Sequence, residues 1–130
     1  MFKKLVLFTL VLCMFVATPL AAYDGFMVTP QSSAAFICWG AGIWDNGTNI
    51  LCETFSDLCD EYTTSITMQL QKYNGTSWVT LKSWYTSTYD NSLSILKTYP
   101  CSPGVYRVKG THKAGGETKT SYSPNYKVWD

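Results

Sequence analysis

Two Asn-Gly pairs, Asn46-Gly47 and Asn74-Gly75, each separate two stretches in which apolar and polar residues alternate. Asn-Gly is a strong hairpin signal because tight hairpin turns need residues that accept a positive φ angle. Alternation with a period of two places successive side chains on opposite faces of a strand. We therefore expect a chain built from β-hairpins, with no helix after the N-terminal segment.

The alternation continues along the chain and is interrupted by Gly, Asn, Asp, Ser and Pro about every ten residues. On the sixth strand it predicts that Tyr106 and Val108 face inward and that Arg107 and Lys109 face outward. Seven short strands result, at residues 35–44, 48–55, 63–73, 77–85, around 93–95, 104–112 and from 117 towards 128.

These strands have apolar faces that an isolated sheet would leave in water. We therefore predict an all-β domain at residues 36–130, an antiparallel two-sheet sandwich of immunoglobulin or fibronectin type with about seven strands. A small closed barrel is the alternative. Residues 23–35 are expected to form a loose N-terminal arm.

The N-terminus has the pattern of a signal peptide. Lys3 and Lys4 precede an apolar stretch of 12 residues, 5–16, which is shorter than the ~20 residues of a membrane-spanning helix. Ala22 is the small residue best placed before a cleavage site. We predict a signal peptide at residues 1–22, a secreted mature chain that begins at Tyr23, and no membrane insertion after cleavage.

Cleavage at this point would remove Cys13 and leave four cysteines: Cys38, Cys52, Cys59 and Cys101. Exported proteins meet no cytosolic reductant, so we expect two disulfides. Four cysteines allow three pairings; strand order slightly favours 38 to 59 with 52 to 101. Their spacing contains no C-x-x-C pair, which argues against a zinc site.

The charge of the chain does not favour a polyanionic partner. Removing Lys3 and Lys4 from the 10 basic residues leaves 8 against 9 acidic residues, a net charge of −1. Nucleic acid binding is therefore not expected. The acidic residues are concentrated before residue 62 and the basic residues after it. We favour charge compensation within one compact surface over the alternative, a polarised binding face.

Catalytic patterns are missing from the sequence. His112 is the one histidine, it sits at a strand exit beside Lys113, and no nucleophile elbow precedes it. Cysteines held in disulfides cannot act as nucleophiles. We therefore predict that the protein is not an enzyme, that His112 is structural or solvated, and that no cofactor is needed.

Three carboxylates, Asp57, Asp60 and Glu61, lie close together after the second strand. Ca²⁺ prefers six to eight oxygen ligands, and the surrounding sequence does not supply the rest of a calcium loop. We favour a solvated acidic loop over a calcium site.

Aromatic residues are abundant, with five tryptophans and nine tyrosines. Flat rings on a rigid sheet can stack on sugar rings or on peptides. The chain becomes polar directly after Trp84 and Tyr85, so we predict that Trp84, Tyr85 and Tyr89 form an exposed binding cluster. Trp78 is expected to enter the core.

The segment Gln69-Leu70-Gln71-Lys72-Tyr73-Asn74-Gly75-Thr76-Ser77-Trp78-Val79-Thr80-Leu81-Lys82-Ser83-Trp84, with the later Gly104-Val105-Tyr106-Arg107-Val108-Lys109, resembles an uncharacterised family of small secreted proteins of Gram-positive bacteria. It is similar, more loosely, to bacterial immunoglobulin-like modules. The resemblance covers roughly residues 64–123. It implies a secreted β-sandwich and supplies no catalytic residues.

We therefore favour a secreted, non-catalytic binding or adhesion module whose exposed aromatic residues meet a carbohydrate or a protein at a cell surface. Two alternatives are a secreted antimicrobial or toxin-like protein and a structural cell-surface or spore-associated protein. The near-neutral charge and the lack of a cationic amphipathic helix argue against direct membrane disruption.

Overall fold

A computed structural model describes residues 21–23, 25–29 and 34–130. Their strands are all antiparallel and belong to one sheet, which confirms the predicted all-β antiparallel class. No helix that could cross a membrane occurs in the described ranges. The strands are β1 (Ala21–Tyr23), β2 (Phe26–Thr29), β3 (Phe36–Asp45), β4 (Asn49–Tyr73), β5 (Trp78–Pro100), β6 (Gly104–Ala114), β7 (Glu117–Tyr122) and β8 (Tyr126–Val128).

Both Asn-Gly pairs lie at hairpin turns, as predicted, and the two turns are built alike. The Asn46 backbone N–H donates to the Asn49 carbonyl, and the Asn74 N–H donates to the Ser77 carbonyl. In each turn the asparagine Oδ1 also accepts the N–H groups two and three residues later. The asparagine side chain therefore stabilises the turn, and the glycine that follows it supplies the positive φ angle.

β4 and β5 are each much longer than predicted, with 25 and 23 residues. The predicted acidic loop after the second strand and the polar residues 87–91 both lie within these strands. Asp57 pairs with Ser92 and Tyr62 pairs with Asp90, so residues 58–61 face Asn91 alone. This bulge adds residues to one strand, and such bulges bend a sheet.

Because β4 bends at this bulge, its two halves contribute to the same core. The result is one sheet curled into a half-barrel. Apolar side chains from both halves of β4, residues 49–58 and 62–73, pack together with side chains from β3, β5, β6 and β8. The central cluster consists of Ala41, Ile43, Ile50, Cys52, Ile66, Met68, Leu70, Ile95, Tyr106, Val108 and Val128.

The predicted loose arm is partly ordered as strand. β2 pairs with β3, and the ring of Phe26 packs directly over Gly42, where a larger residue would collide with it. The absence of a side chain at Gly42 thus makes room for β2. Of the predicted signal peptide, residues 1–20 lie outside the described residues, and β1 spans the predicted cleavage point after Ala22.

The two predicted disulfides are not present, because Cys52, Cys59 and Cys101 are free thiols. Cys101 N–H donates to the Thr48 carbonyl, whereas Cys52 lies four residues further along β4, about 13 Å away. This exceeds the ~7 Å that a disulfide spans between Cα atoms. Cys59 lies beside Ala34 and not beside Cys38. Its Sγ–H donates to the Ala34 carbonyl at 3.1 Å.

The free thiols differ in their surroundings, so they should differ in reactivity. Cys52 is buried, and burial raises its pKa to about 12, whereas Cys59 is exposed. Only thiolates react readily with alkylating agents. We expect iodoacetamide to label Cys59 in the native protein and Cys52 only after unfolding, as measured by peptide mass spectrometry. Failure of Cys52 to react in the unfolded, unreduced protein would instead support a disulfide.

A buried tyrosine fixes the start of β6. The Tyr106 side chain is fully buried, and its hydroxyl donates to the Ser102 carbonyl at 2.8 Å and lies 2.7 Å from Ser102 Oγ. A ring in the core is thereby tied to the chain segment that enters the strand.

Candidate binding face

The outward side of the second half of the sheet is polar and rich in aromatic and cationic side chains. We call it the aromatic–cationic face and define it by the outward-facing positions of four strands. These are the odd positions 63–71 of β4, Trp78, Thr80 and the odd positions 83–89 of β5, the odd positions 107–113 of β6, and the even positions 118–122 of β7.

Cross-strand pairing arranges hydroxyl groups in rows across this face. Tyr85 pairs with Thr67, Thr67 pairs with Thr111, and Thr111 pairs with Thr120. Side chains that are directly opposite on neighbouring strands lie about 5 Å apart. The row therefore offers several hydrogen-bonding groups at regular intervals next to an aromatic ring.

Tyr85 and Tyr89 are exposed, as predicted, each with 67% of its surface accessible. They lie four residues apart on the same side of β5, opposite Thr67 and Thr63. At a rise of ~3.3 Å per residue the two positions are about 13 Å apart. The two rings are therefore available to one extended ligand.

The predictions for the two tryptophans of β5 are reversed by the structure. Trp84 is opposite Met68 and packs against the central core cluster, away from Tyr85 and Tyr89. Trp78 lies on the aromatic–cationic face, with its ring centroid 5.3 Å from that of Tyr73. Regular alternation would place two residues six positions apart on one face, but a bulge at Leu81 puts them on opposite faces, because Gln71 pairs with Thr80 while Leu70 pairs with Lys82. One extra residue moves every later side chain to the other face.

Because Trp84 packs against the core, Trp84→Ala should lower the free energy of unfolding. Full burial of a tryptophan would make the loss ~3 to 5 kcal/mol, and partial exposure reduces our expectation to about 2 kcal/mol. Urea denaturation measures the change, with Tyr85→Ala as the exposed neighbour that should leave stability nearly unchanged. Equal stability of the two variants would place Trp84 outside the core.

Arg107 lies between two aromatic rings on this face. Its guanidinium carbon is 4.3 Å from the centroid of the Trp78 ring and 4.5 Å from that of Tyr122. Its Nε–H donates to Gln71 Oε1 at 2.8 Å, and Gln71 Nε2 donates to Thr80 Oγ1 at 3.3 Å. The sequence predicted that Arg107 faces outward, but not that Trp78 and Tyr122 hold it.

A cavity of about 340 Å³ opens between β5 and the turn that joins β6 to β7. The turn is tight because Ala114 pairs with Glu117, and Gly115 and Gly116 accept its positive φ angles of 57° and 76°. The cavity is lined by Thr63, Ser65, Tyr85, Ser87, Lys113 and Glu117, among others.

His112 is structural, one of the two alternatives that the sequence left open. It is fully buried, and its Nδ1 lies 2.8 Å from Ser56 Oγ and its Nε2 2.7 Å from Ser121 Oγ. Burial lowers its pKa to about 3, so the ring is neutral at physiological pH. The histidine therefore joins β4, β6 and β7 inside the core, where a substrate does not reach it.

The acidic residues Asp57, Asp60 and Glu61 lie at the bulge of β4. Burial raises the pKa of Asp57, and Asp60 Oδ1 accepts the N–H of Glu61. Within the described ranges, no three His, Cys, Asp or Glu side chains are grouped so that they could hold a metal ion.

Comparison of the chain with protein-family models and with curated proteins returned no match. The resemblance to small secreted proteins of Gram-positive bacteria therefore stays a prediction.

Proposed function

We propose that this protein is a secreted, non-catalytic module that binds carbohydrate on the aromatic–cationic face. The observation that carries the proposal is the exposure of Tyr85 and Tyr89 on one side of β5, beside rows of threonine and serine hydroxyls. Aromatic rings stack on the apolar faces of sugars, while hydroxyls and amides bind the sugar hydroxyls. Secretion rests on the signal-peptide pattern of residues 1–22.

A sugar suits this face better than a protein partner does. The fully buried centre of a protein interface is usually apolar, whereas the positions between Tyr85 and Arg107 are occupied by hydroxyl and amide side chains, such as Thr67, Gln69 and Thr111. Tyrosine rings also lose little conformational entropy on binding. Both properties favour a ligand that is itself covered with hydroxyl groups.

We also propose that the domain is a relative of the immunoglobulin-type sandwich whose two layers are joined by the long strands β4 and β5. Two features support this: residues from both halves of β4 share one core, and the Tyr106 hydroxyl bonds to the backbone four residues earlier. A tyrosine with such a bond at the start of a strand is a hallmark of immunoglobulin-type domains. Such domains are frequent carriers of binding surfaces.

The double substitution Tyr85→Ala with Tyr89→Ala tests the proposed function. The purified protein and the variant are applied to a glycan array, and the hits are then measured by isothermal titration calorimetry. Stacking on an aromatic ring gives ~1 to 3 kcal/mol per nucleobase. Taking the low end of this range for the C–H face of a sugar, we expect the loss of both rings to lower the affinity by a factor of at least about 10.

The matched control is Leu96→Ala, an exposed apolar residue on the other half of β5. This variant should retain the parent affinity, and all three proteins should melt at nearly the same temperature. If no glycan binds and a protein ligand is captured through the same tyrosines, the proposed carbohydrate ligand is wrong and the partner is a protein.

A structural, self-associating protein is the second candidate, and it rests on the free edge of β5. Within the described residues, β5 pairs with β4 and with no other strand, which leaves one edge of a 23-residue strand open. Such edges can pair with another chain. Light scattering after size-exclusion chromatography separates the two candidates, because the binding module should be monomeric and the structural protein should form larger species.

A further inference from the structure

The position of Arg107 suggests a more specific ligand. The Trp78 and Tyr122 rings lie 4.3 and 4.5 Å from its guanidinium carbon, and Gln71 accepts its Nε–H. Within the described residues, its terminal nitrogens donate no hydrogen bond, and no carboxylate lies within ion-pair distance. A guanidinium that is already oriented loses little entropy when it binds an anion.

The net charge of −1 does not favour a polyanion for the chain as a whole, but the charge around Arg107 is locally positive. Lys109 Nζ lies 5.9 Å from the Tyr122 ring centroid, and Lys113 lies further along the same side of β6. None of the positions that define the aromatic–cationic face carries an Asp or a Glu. Glu117, at the rim of the cavity, is engaged by Lys119 at 3.8 Å and by the Ala35 N–H at 2.7 Å.

We propose that the aromatic–cationic face binds an acidic polysaccharide and that Arg107 binds the carboxylate of a uronic acid unit. This inference rests on the proposed carbohydrate-binding function and specifies its ligand. A planar carboxylate matches the fork of a guanidinium and accepts two parallel hydrogen bonds from it. Tyr85 and Tyr89 stack on neighbouring sugars of the same chain.

The spacing of these groups favours a polymer over a single sugar. Arg107 is opposite Gln71 and Tyr85 is opposite Thr67, so the two ligand-binding side chains are four residues apart along the strands and two strands apart across them. With ~3.3 Å per residue and ~4.8 Å per strand, this is a separation of roughly 16 Å. A ligand that contacts both groups must therefore extend over several sugar units.

The test compares polygalacturonate with its fully methyl-esterified form, which has the same backbone and no charge. Affinity is measured by calorimetry for the full secreted chain and for Arg107→Gln. Loss of a bidentate charged contact should weaken polygalacturonate binding by at least about tenfold. The same substitution should leave binding of the ester within about twofold of the parent, and added salt should weaken only polygalacturonate binding.

Two further variants keep the test decisive. Lys97→Gln removes an exposed positive charge on the other half of β5 and should leave both affinities unchanged. Arg107→Lys keeps the charge but not the planar fork and should recover only part of the polygalacturonate affinity. Thermal melting establishes that each variant is folded.

Each outcome decides between the two proposals. Equal binding of the charged and the esterified polymers would overturn the role of Arg107 and leave the carbohydrate-binding function standing. Tighter binding of dextran sulfate than of polygalacturonate, with the same dependence on Arg107, would overturn the uronate assignment. Binding of none of the three polymers, nor of any array glycan, would overturn both proposals.

Discussion

His112→Ala is expected to lower the free energy of unfolding by about 4 kcal/mol at pH 7.5. The imidazole is fully buried and joins Ser56 and Ser121 through both ring nitrogens. Its removal leaves a cavity and two buried hydroxyls without this partner, and each unsatisfied hydroxyl costs ~1 to 3 kcal/mol. Urea denaturation measures the loss.

The control for this experiment is the next residue, Lys113, which is exposed on the aromatic–cationic face. Lys113→Ala should change the free energy of unfolding by less than about 0.5 kcal/mol. A loss below about 1 kcal/mol for His112→Ala would mean that the histidine does not hold the core together.

The same histidine should make the protein sensitive to acid. Burial lowers the pKa of His112 from its usual 6.5 to about 3. A lowered pKa in the folded state gives stability that is fully present above about pH 6.5 and is lost as the pH falls towards 3. The difference in unfolding free energy between parent and His112→Ala should therefore shrink over this range. Glu53, whose pKa burial raises to about 7, titrates in both proteins and cancels in the comparison.

Tyr106→Ala should destabilise the protein by a similar amount, about 4 kcal/mol. Its fully buried ring lies in the central core cluster, and its hydroxyl donates to the Ser102 carbonyl. Tyr106→Phe keeps the ring and removes the hydrogen bond, so this variant should lose only about 1 to 2 kcal/mol.

Chemical denaturation of the parent, Tyr106→Ala and Tyr106→Phe separates the contribution of the ring from that of the hydroxyl hydrogen bond. Tyr85→Ala provides the control, since the exposed ring of Tyr85 should contribute little to stability. A Tyr106→Phe variant as unstable as Tyr106→Ala would assign the whole effect to the hydroxyl. A Tyr106→Ala variant as stable as the parent would remove Tyr106 from the core.

Features that depend on neighbouring residues could be predicted from the sequence. Each Asn-Gly turn is stabilised within four residues by its own asparagine side chain, so its position follows from a short motif. The same is true of β6, where regular alternation correctly predicts that Tyr106 and Val108 are buried and that Arg107 is more exposed.

Features that depend on pairing between distant residues could not be predicted. The polar segments 57–61 and 87–91 look like loops in isolation, but each continues a strand because its partner runs beside it. The bulge at Leu81 places Trp78 and Trp84 on opposite faces, and no local pattern marks it. The position of Arg107 between Trp78 and Tyr122 likewise requires three strands to be aligned.

The most direct test of the account is to map the contact surface of an acidic oligosaccharide on the protein by NMR. Oligogalacturonate is titrated into the ¹⁵N-labelled protein, and the shifts of the backbone amide signals are followed. The account predicts that the shifts concentrate at residues 63–71, 78–89, 107–113 and 118–122 and follow one saturable curve. Shifts concentrated in β2 and β3, or no shifts at saturating ligand, would contradict it.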